Sequence, residues 1–183
     1  MIATVYATDQ TGSINNMSGL YYAIAEGIFW SNTSSSSDAM ETEAHIFFDT
    51  TNANTGIGAG DTINSFKLVM DILQYENPIP STAWEIYWGT GAGTTLDVGD
   101  WRVDSGNMGF FDPFGVGSGY EIPLIGVFAR SNAFHIRIKT AATEPPTSNI
   151  GISYTAGVTP KLVIDYSPAT SSTPSLLPLL KVG

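Results

Sequence analysis

Two histidines, His45 and His135, are the only imidazole side chains in this 183-residue chain that could serve as a base or a metal ligand. Each lies in a segment that alternates apolar and polar residues, which is typical of a β-strand. Neither has a Ser or an Asp at the spacing of a catalytic triad or a metal site. A histidine in such a strand is usually solvated or packed, so we expect no catalytic residue and no enzymatic activity.

Other chemistry is also weakly supported by the residue pattern. Three glycine-rich runs resemble fragments of phosphate-binding loops, at residues 56–60, 89–93 and 115–119. None is followed by Lys-Ser/Thr or opens a helical pattern, so they are predicted to be turns. Asp97, Asp100 and Asp104 could offer oxygens to Ca²⁺, but they lack the alternate acids and the terminal Glu of an EF-hand loop. We therefore expect no metal and no cofactor.

Aromatic side chains could form a platform for a sugar ring, since pyranose rings stack on exposed Trp and Tyr. Trp84 and Trp88 share one face of a predicted strand with Ile86, which indicates core packing. Tyr87 lies on the opposite face, and Trp101 lies in a glycine-rich region. Tyr87 and Trp101 are thus the candidate platform residues for surface glycans.

Composition excludes whole classes of partner. Seven Lys and Arg against 17 Asp and Glu give a formal charge of −10, so no cationic surface is available to bind nucleic acid. The chain has no Cys, which excludes disulfides and thiolate chemistry. Only 13% of the residues are charged, which is low for a soluble domain and more usual in extracellular or assembled β-proteins.

Acidic residues dominate the first part of the chain, because the first basic residue is Lys67. Scattered acids of this kind are usually solvated loop charges, and we interpret them so. The seven acids before Lys67 are Asp9, Glu26, Asp38, Glu41, Glu43, Asp49 and Asp61.

No targeting signal is visible in the sequence. The segment from Met1 to Gln10 lacks a basic n-region and an apolar core, and the chain has no run of ~18 apolar residues. We therefore expect a chain that is neither exported by a signal peptide nor inserted in a membrane.

Period-two alternation, broken by turn residues, predicts about nine short strands and no amphipathic helix. The clearest strand is 134–139, where Phe134, Ile136 and Ile138 alternate with polar residues. The segment 63–75 is apolar on both faces, which predicts a strand that is covered on both sides or runs past the sheet edge. An all-β, antiparallel β-sandwich is the expected fold, and a closed barrel is the alternative.

The composition changes after Tyr166, so we divide the chain into a β-sandwich domain at 1–167 and an extended C-terminal arm at 168–183. The arm begins as a Pro/Ser/Thr-rich spacer, and Pro178 prevents a regular helix near its end. It either docks on a neighbouring subunit or folds back on its own domain. The apolar residues that would dock are Leu176, Leu177, Leu179, Leu180 and Val182.

Three segments between Phe47 and Ser167 carry a resemblance to a known family. The stretch FFDTTNANTGIGAGDTINSFKLVM (47–70) resembles the signature "F-D, short loop, I-x-x-G-x-T-I-x-S-A-x-L" of DNRLRE-type jelly-roll domains, and 84–101 and 160–167 are similar to segments of phage and prophage relatives. The matching positions in the first stretch are Phe48, Asp49, Ile57, Gly60, Thr62, Ile63, Ser65 and Leu68.

The resemblance implies a jelly-roll-like sandwich that is a non-enzymatic surface module of phage particles or bacterial surface proteins. We therefore expect a virion structural protein, such as a head decoration, minor capsid or appendage subunit, that is assembled in the host cytoplasm. Its partners would be other virion proteins, either the major capsid protein or tail and portal proteins, and further copies of itself in a homo-oligomer. A carbohydrate-binding module is the alternative, and neither reading involves nucleic acid or membrane.

Overall fold

A computed structural model describes residues 1–17, 20–25, 28–33, 40–76, 84–90, 93–100, 106–111, 116–140, 148–153 and 159–170. These residues form twelve β-strands and a one-turn helix, α1 (Asn52–Thr55). The strands are β1 (Ile2–Tyr6), β2 (Gly12–Met17), β3 (Leu20–Ala25), β4 (Ile28–Thr33), β5 (Met40–Phe48), β6 (Thr62–Glu76), β7 (Trp84–Gly89), β8 (Gly106–Phe111), β9 (Gly117–Leu124), β10 (Phe134–Thr140), β11 (Ser148–Ser153) and β12 (Lys161–Ser167).

The strands pair antiparallel and build two layers that face each other across one core. The first layer has the order β1-β12-β6-β9, and the second has the order β3-β2-β5-β10-β7-β8. Hydrogen bonding continues from one layer to the other through β11, which pairs with β6, and β4, which pairs with β11 and β5. The predicted all-β antiparallel sandwich is confirmed.

The long strand β6 is the main support of the first layer. Its first half pairs with β12 and its second half with β11, while β9 lies along its other edge. Because β6 pairs with two successive strands along one edge, its apolar residues continue for longer than a single partner strand would require. The prediction of a strand that runs past the sheet edge agrees with this geometry.

The core lies between the layers and is filled by the inward positions of each strand. Phe134 of β10 is at its centre, with its ring centroid 6.5 Å from that of Phe48, 6.0 Å from that of Trp88 and 6.0 Å from that of Phe128. Trp84 is fully buried. The predicted inward orientation of Trp84 and Trp88 is therefore confirmed.

The two central strands of the second layer differ from the others in that both of their faces are buried. In β5 every residue from Glu43 to Phe48 is buried, and in β10 so is every residue from Phe134 to Ile138. Alternation in these strands therefore separates an apolar face toward the core from a polar face that is also covered. That second face holds the charged residues described below.

In the described part of the chain, no helix combines the length and apolarity that are needed to cross a bilayer.

Candidate functional site

Four ionisable or polar side chains lie together on the second face of β5 and β10. We call Glu43, His45, His135 and Arg137 the charged cluster. The register places Arg137 opposite His45, so the four side chains project to the same side of the sheet. Glu43 and both histidines have no exposed area, and Arg137 is 3% exposed.

An ion pair organises the charged cluster. Arg137 Nη1 donates a hydrogen bond of 2.5 Å to Glu43 Oε1, and the other carboxylate oxygen lies 3.6 Å from His45 Nε2. The rings of His45 and His135 stack with their centroids 6.0 Å apart. Because a buried charge is stable only when it is paired, Glu43 and Arg137 depend on each other.

A row of side chains connects the charged cluster to the surface. The Arg137 guanidinium lies 4.5 Å from the centroid of the Tyr87 ring, and Lys139 Nζ lies 5.4 Å from it. The Tyr87 hydroxyl donates a hydrogen bond of 2.9 Å to Glu85 Oε2, which also pairs with Lys139 at 2.9 Å. Cations and the ring thus hold one another in place along β7 and β10.

Apolar residues and the segment 93–100 cover this face. Ile14 of β2, Phe47 of β5 and Leu96 form a second apolar cluster, separate from the main core. Asp100 is 3% exposed at the end of a 3₁₀ turn (Val98–Asp100), and its carboxylate accepts a hydrogen bond of 2.9 Å from the backbone N–H of Asp97. Burial raises the pKa of Asp100, while the hydrogen bond from Asp97 and the charge of His45 oppose that increase.

The charged cluster is almost completely withdrawn from water, and the contacts described above are with other side chains of the protein. Neither ring nitrogen of His45 has a hydrogen-bond partner among the residues that the structure describes, and no group of His, Asp or Glu in those residues is placed to hold a metal ion. Of the four side chains, only Arg137 has any exposed area, at 3%. The ion pair and the stacked rings join β5 to β10, the two strands that carry them.

The predicted site residues fall into two groups. Tyr87 is half-buried and engaged with Arg137 and Glu85, so its ring is part of the protein's own packing, and binding of a glycan there stays a prediction. The remaining candidates lie outside the described residues: Trp101, Asp104, Leu176, Leu177, Leu179, Leu180 and Val182.

One interpretation of the sequence is wrong in detail, and the cluster was missed. Glu43 is not a solvated loop acid, because it is fully buried against Arg137. The available signal was a carboxylate in one strongly alternating strand and a guanidinium in another. If β5 and β10 are paired as antiparallel neighbours, their alternation places the Glu43 and Arg137 side chains on the same face of the sheet.

Outside the core, large apolar side chains are exposed along both borders of the first layer. On the edge strand β1, Ile2 is 64% exposed and Tyr6 is 60% exposed. Just after β9, Ile125 is 64% exposed and Val127 is 65% exposed. On β8, the edge strand of the second layer, Phe110 is 59% exposed, so exposed apolar side chains lie at the borders of both layers.

The chain leaves the domain at a defined point beside β6. Strand β12 ends at Ser167, and the described chain continues to Thr170, so the division into a domain at 1–167 and an arm at 168–183 stays a prediction. The Asp61 carboxylate accepts hydrogen bonds from the backbone N–H of Ala169 at 2.9 Å and of Gly58 at 2.8 Å. Both hydrogen bonds lower the pKa of Asp61, and the one from Ala169 has the larger effect.

No protein-family model matches this chain, and no curated protein is significantly similar to it. The resemblance to DNRLRE-type domains therefore stays a prediction from the sequence.

The first prediction concerns the buried ion pair. Glu43→Ala leaves the Arg137 guanidinium buried without its carboxylate, so we expect a loss of about 3–5 kcal/mol in the free energy of unfolding, measured by urea denaturation. Glu121→Ala is the matched control, because Glu121 pairs with Lys67 at 2.7 Å on the surface. That variant should lose at most about 1 kcal/mol.

A double variant, Glu43→Leu with Arg137→Met, removes both charges and should recover most of the stability that Glu43→Ala loses. Equal losses for Glu43→Ala and Glu121→Ala would contradict the proposed role of the pair.

The second prediction concerns Asp61 and pH. Its folded pKa is lower than its unfolded pKa of about 3.9, so its contribution to stability is present above that pH and is lost as the pH falls through the folded pKa. Asp61→Asn should therefore be less stable than the parent at neutral pH. The difference in urea midpoint should shrink as the pH falls below the unfolded pKa of about 3.9 and through the lower folded pKa. A difference that does not depend on pH would show that the Asp61 charge is not involved.

Proposed function

We propose that this chain is a non-enzymatic structural subunit of a phage particle, which attaches to other virion proteins as a decoration, minor capsid or appendage component. The observation that carries the proposal is the distribution of polar and apolar surface. The second layer buries Glu43 and Arg137 as an ion pair, and large apolar side chains are exposed at the borders of both layers, at Ile2, Tyr6, Ile125 and Val127 on the first and at Phe110 on the second.

The sealed second layer supports a role in assembly over one in catalysis. Its histidines are buried and face an ion pair and packed rings, so they meet none of the geometric needs of a base acting on a substrate.

The arm at 168–183 supplies the contact in this proposal. Its start is attached to the domain through Asp61, so the residues beyond Thr170 begin from a fixed position on the surface. The leucine segment, which we define as residues 176–182, carries five large aliphatic side chains and one charge, at Lys181. Burying such a segment on a neighbouring subunit removes apolar area from water and drives association.

The partners that this proposal names are the major capsid protein or tail and portal proteins, together with further copies of this chain. Its resemblance to phage-encoded domains, its acidic charge and its lack of cysteine are compatible with a particle protein that is made in the host cytoplasm.

Removal of residues 171–183 tests the proposed function. The shortened chain should keep its cooperative unfolding transition, because the twelve strands that the structure describes all lie before Thr170. It should no longer sediment with particles that are produced from the genome encoding this chain, whereas the full chain should. A matched variant that replaces Ser171, Ser172 and Thr173 with Gly keeps the leucine segment and should still be incorporated. Normal incorporation of the shortened chain would contradict the proposal.

A further inference from the structure

The exit point of the chain lies next to a groove at the β6–β9 border. We propose that, in the unassembled subunit, the leucine segment of this chain occupies the groove of its own domain. This inference rests on the proposed function, because that proposal identifies the leucine segment as a docking element. It adds where that element is held before assembly.

The groove is apolar at its floor and open at its rim. The floor contains Phe66, Leu124 and Phe128, each at most 7% exposed. The rim includes Ile125, and the groove has a volume of about 340 Å³. Gly126, with φ 109°, has open space where a side chain would project, which keeps this wall low.

The charge of the groove matches the leucine segment. None of the described residues that line the groove carries a charge, although the chain as a whole has a formal charge of −10. Contiguous aliphatic side chains gain most from a surface of this kind, because burying them there desolvates no charged group of the groove.

A second groove, on the outer face of the first layer, is a poorer acceptor. It has a volume of about 400 Å³ but is lined by Lys67, Glu121 and Asp165. Lys67 and Glu121 form an ion pair, and an aliphatic segment lying over it would take charged groups out of water.

The described chain ends close to the uncharged groove. The side-chain amide of Asn64, a lining residue, donates a hydrogen bond of 3.2 Å to the hydroxyl of Ser167. Beyond Ser167, the backbone N–H of Ala169 donates a hydrogen bond to the Asp61 carboxylate. The Cβ of Ala169 lies 3.3 Å from the position that a Cβ on Gly60 would occupy. The chain after β12 therefore runs past the start of β6 and lies beside Thr62, Asp61 and Gly60, next to the end of β6 whose residues 63–66 line the groove.

The connecting residues are long enough for docking in the same chain. Strand β12 neighbours β6, and β6 neighbours β9, so the exit and the groove are separated by about 10 Å, or two strand spacings. Residues 171–175 can span about 17 Å when extended. A short flexible connection gives the leucine segment an effective concentration in the millimolar range at the groove of its own chain. At micromolar protein concentration, the groove is therefore occupied by the segment of its own chain more often than by the segment of another chain.

Disulfide trapping in the purified full-length protein tests the inference, and the absence of native cysteine makes the result easy to interpret. The test variant combines Ile125→Cys on the groove rim with Leu179→Cys. The control combines Tyr6→Cys with Leu179→Cys. Tyr6 is similarly exposed and pairs with Lys161 at the far end of β12, about 20 Å from Ser167. The arm can reach both positions, since Leu179 lies up to about 30 Å of extended chain beyond Thr170.

Under mild oxidation, the Ile125 pair should form an intramolecular disulfide at least about tenfold faster than the Tyr6 pair, because docking holds the thiols within bonding distance. Variants with Leu177→Cys or Leu180→Cys in place of Leu179→Cys cover other registers of the segment. Equal rates for all Ile125 and Tyr6 pairs would overturn the inference. Covalent dimers as the main product would also overturn it, since the occupant would then be a second copy.

This experiment separates the inference from the proposed function, because it needs no particle. Trapping without incorporation into particles would leave the groove assignment standing and remove the assembly role. Incorporation into particles without trapping would support the assembly role and overturn the groove assignment.

Discussion

A buried ion pair between neighbouring strands constrains the rest of this structure. Glu43 and Arg137 lie on the face of β5 and β10 that points away from the main core, and both are almost completely withdrawn from water. A carboxylate and a guanidinium can occupy such a place only if they are paired and covered. The pair thus requires the β5–β10 register, and on the same face Ile14, which pairs with Glu43, forms an apolar cluster with Phe47 and Leu96.

The two sides of the sandwich have different properties. On the second layer, the charged cluster and the Tyr87 row hold strands and loops together and leave the histidines inaccessible. On the first layer, the surface ends in exposed apolar residues and an uncharged groove beside the exit of the arm. We propose that the buried ion pair makes the second layer rigid and that the uncharged groove of the first layer is a contact surface.

The sequence was sufficient for the parts of the fold that depend on local alternation. The alternation of Phe134, Ile136 and Ile138 with polar residues predicted β10, and the long apolar stretch predicted the extension of β6, because both patterns are set by neighbours along the chain. The same alternation indicates only that the two faces of a strand differ. It does not indicate that the polar face of β10 is covered.

The charged cluster could not be derived in the same way, because its members are distant in the sequence. Arg137 and Glu43 are 94 positions apart, and their contact depends on the β5–β10 register, which no local pattern specifies. The groove has the same origin, since Phe66 and Leu124 meet only through the pairing of β6 with β9. The leucine segment, by contrast, was visible in the sequence, although its acceptor was not.

Hydrogen exchange followed by mass spectrometry, on the full chain and on the chain that ends at Thr170, tests this division of roles most directly. The account predicts that peptides from β5 and β10 exchange most slowly and are unaffected by removal of residues 171–183, since their amides open only on global unfolding. Peptides that cover Ile125 to Phe128 should exchange faster in the shortened chain. Exchange in β5 and β10 as fast as in the edge strands β1 and β8, or an equal effect of the removal on both layers, would contradict the account.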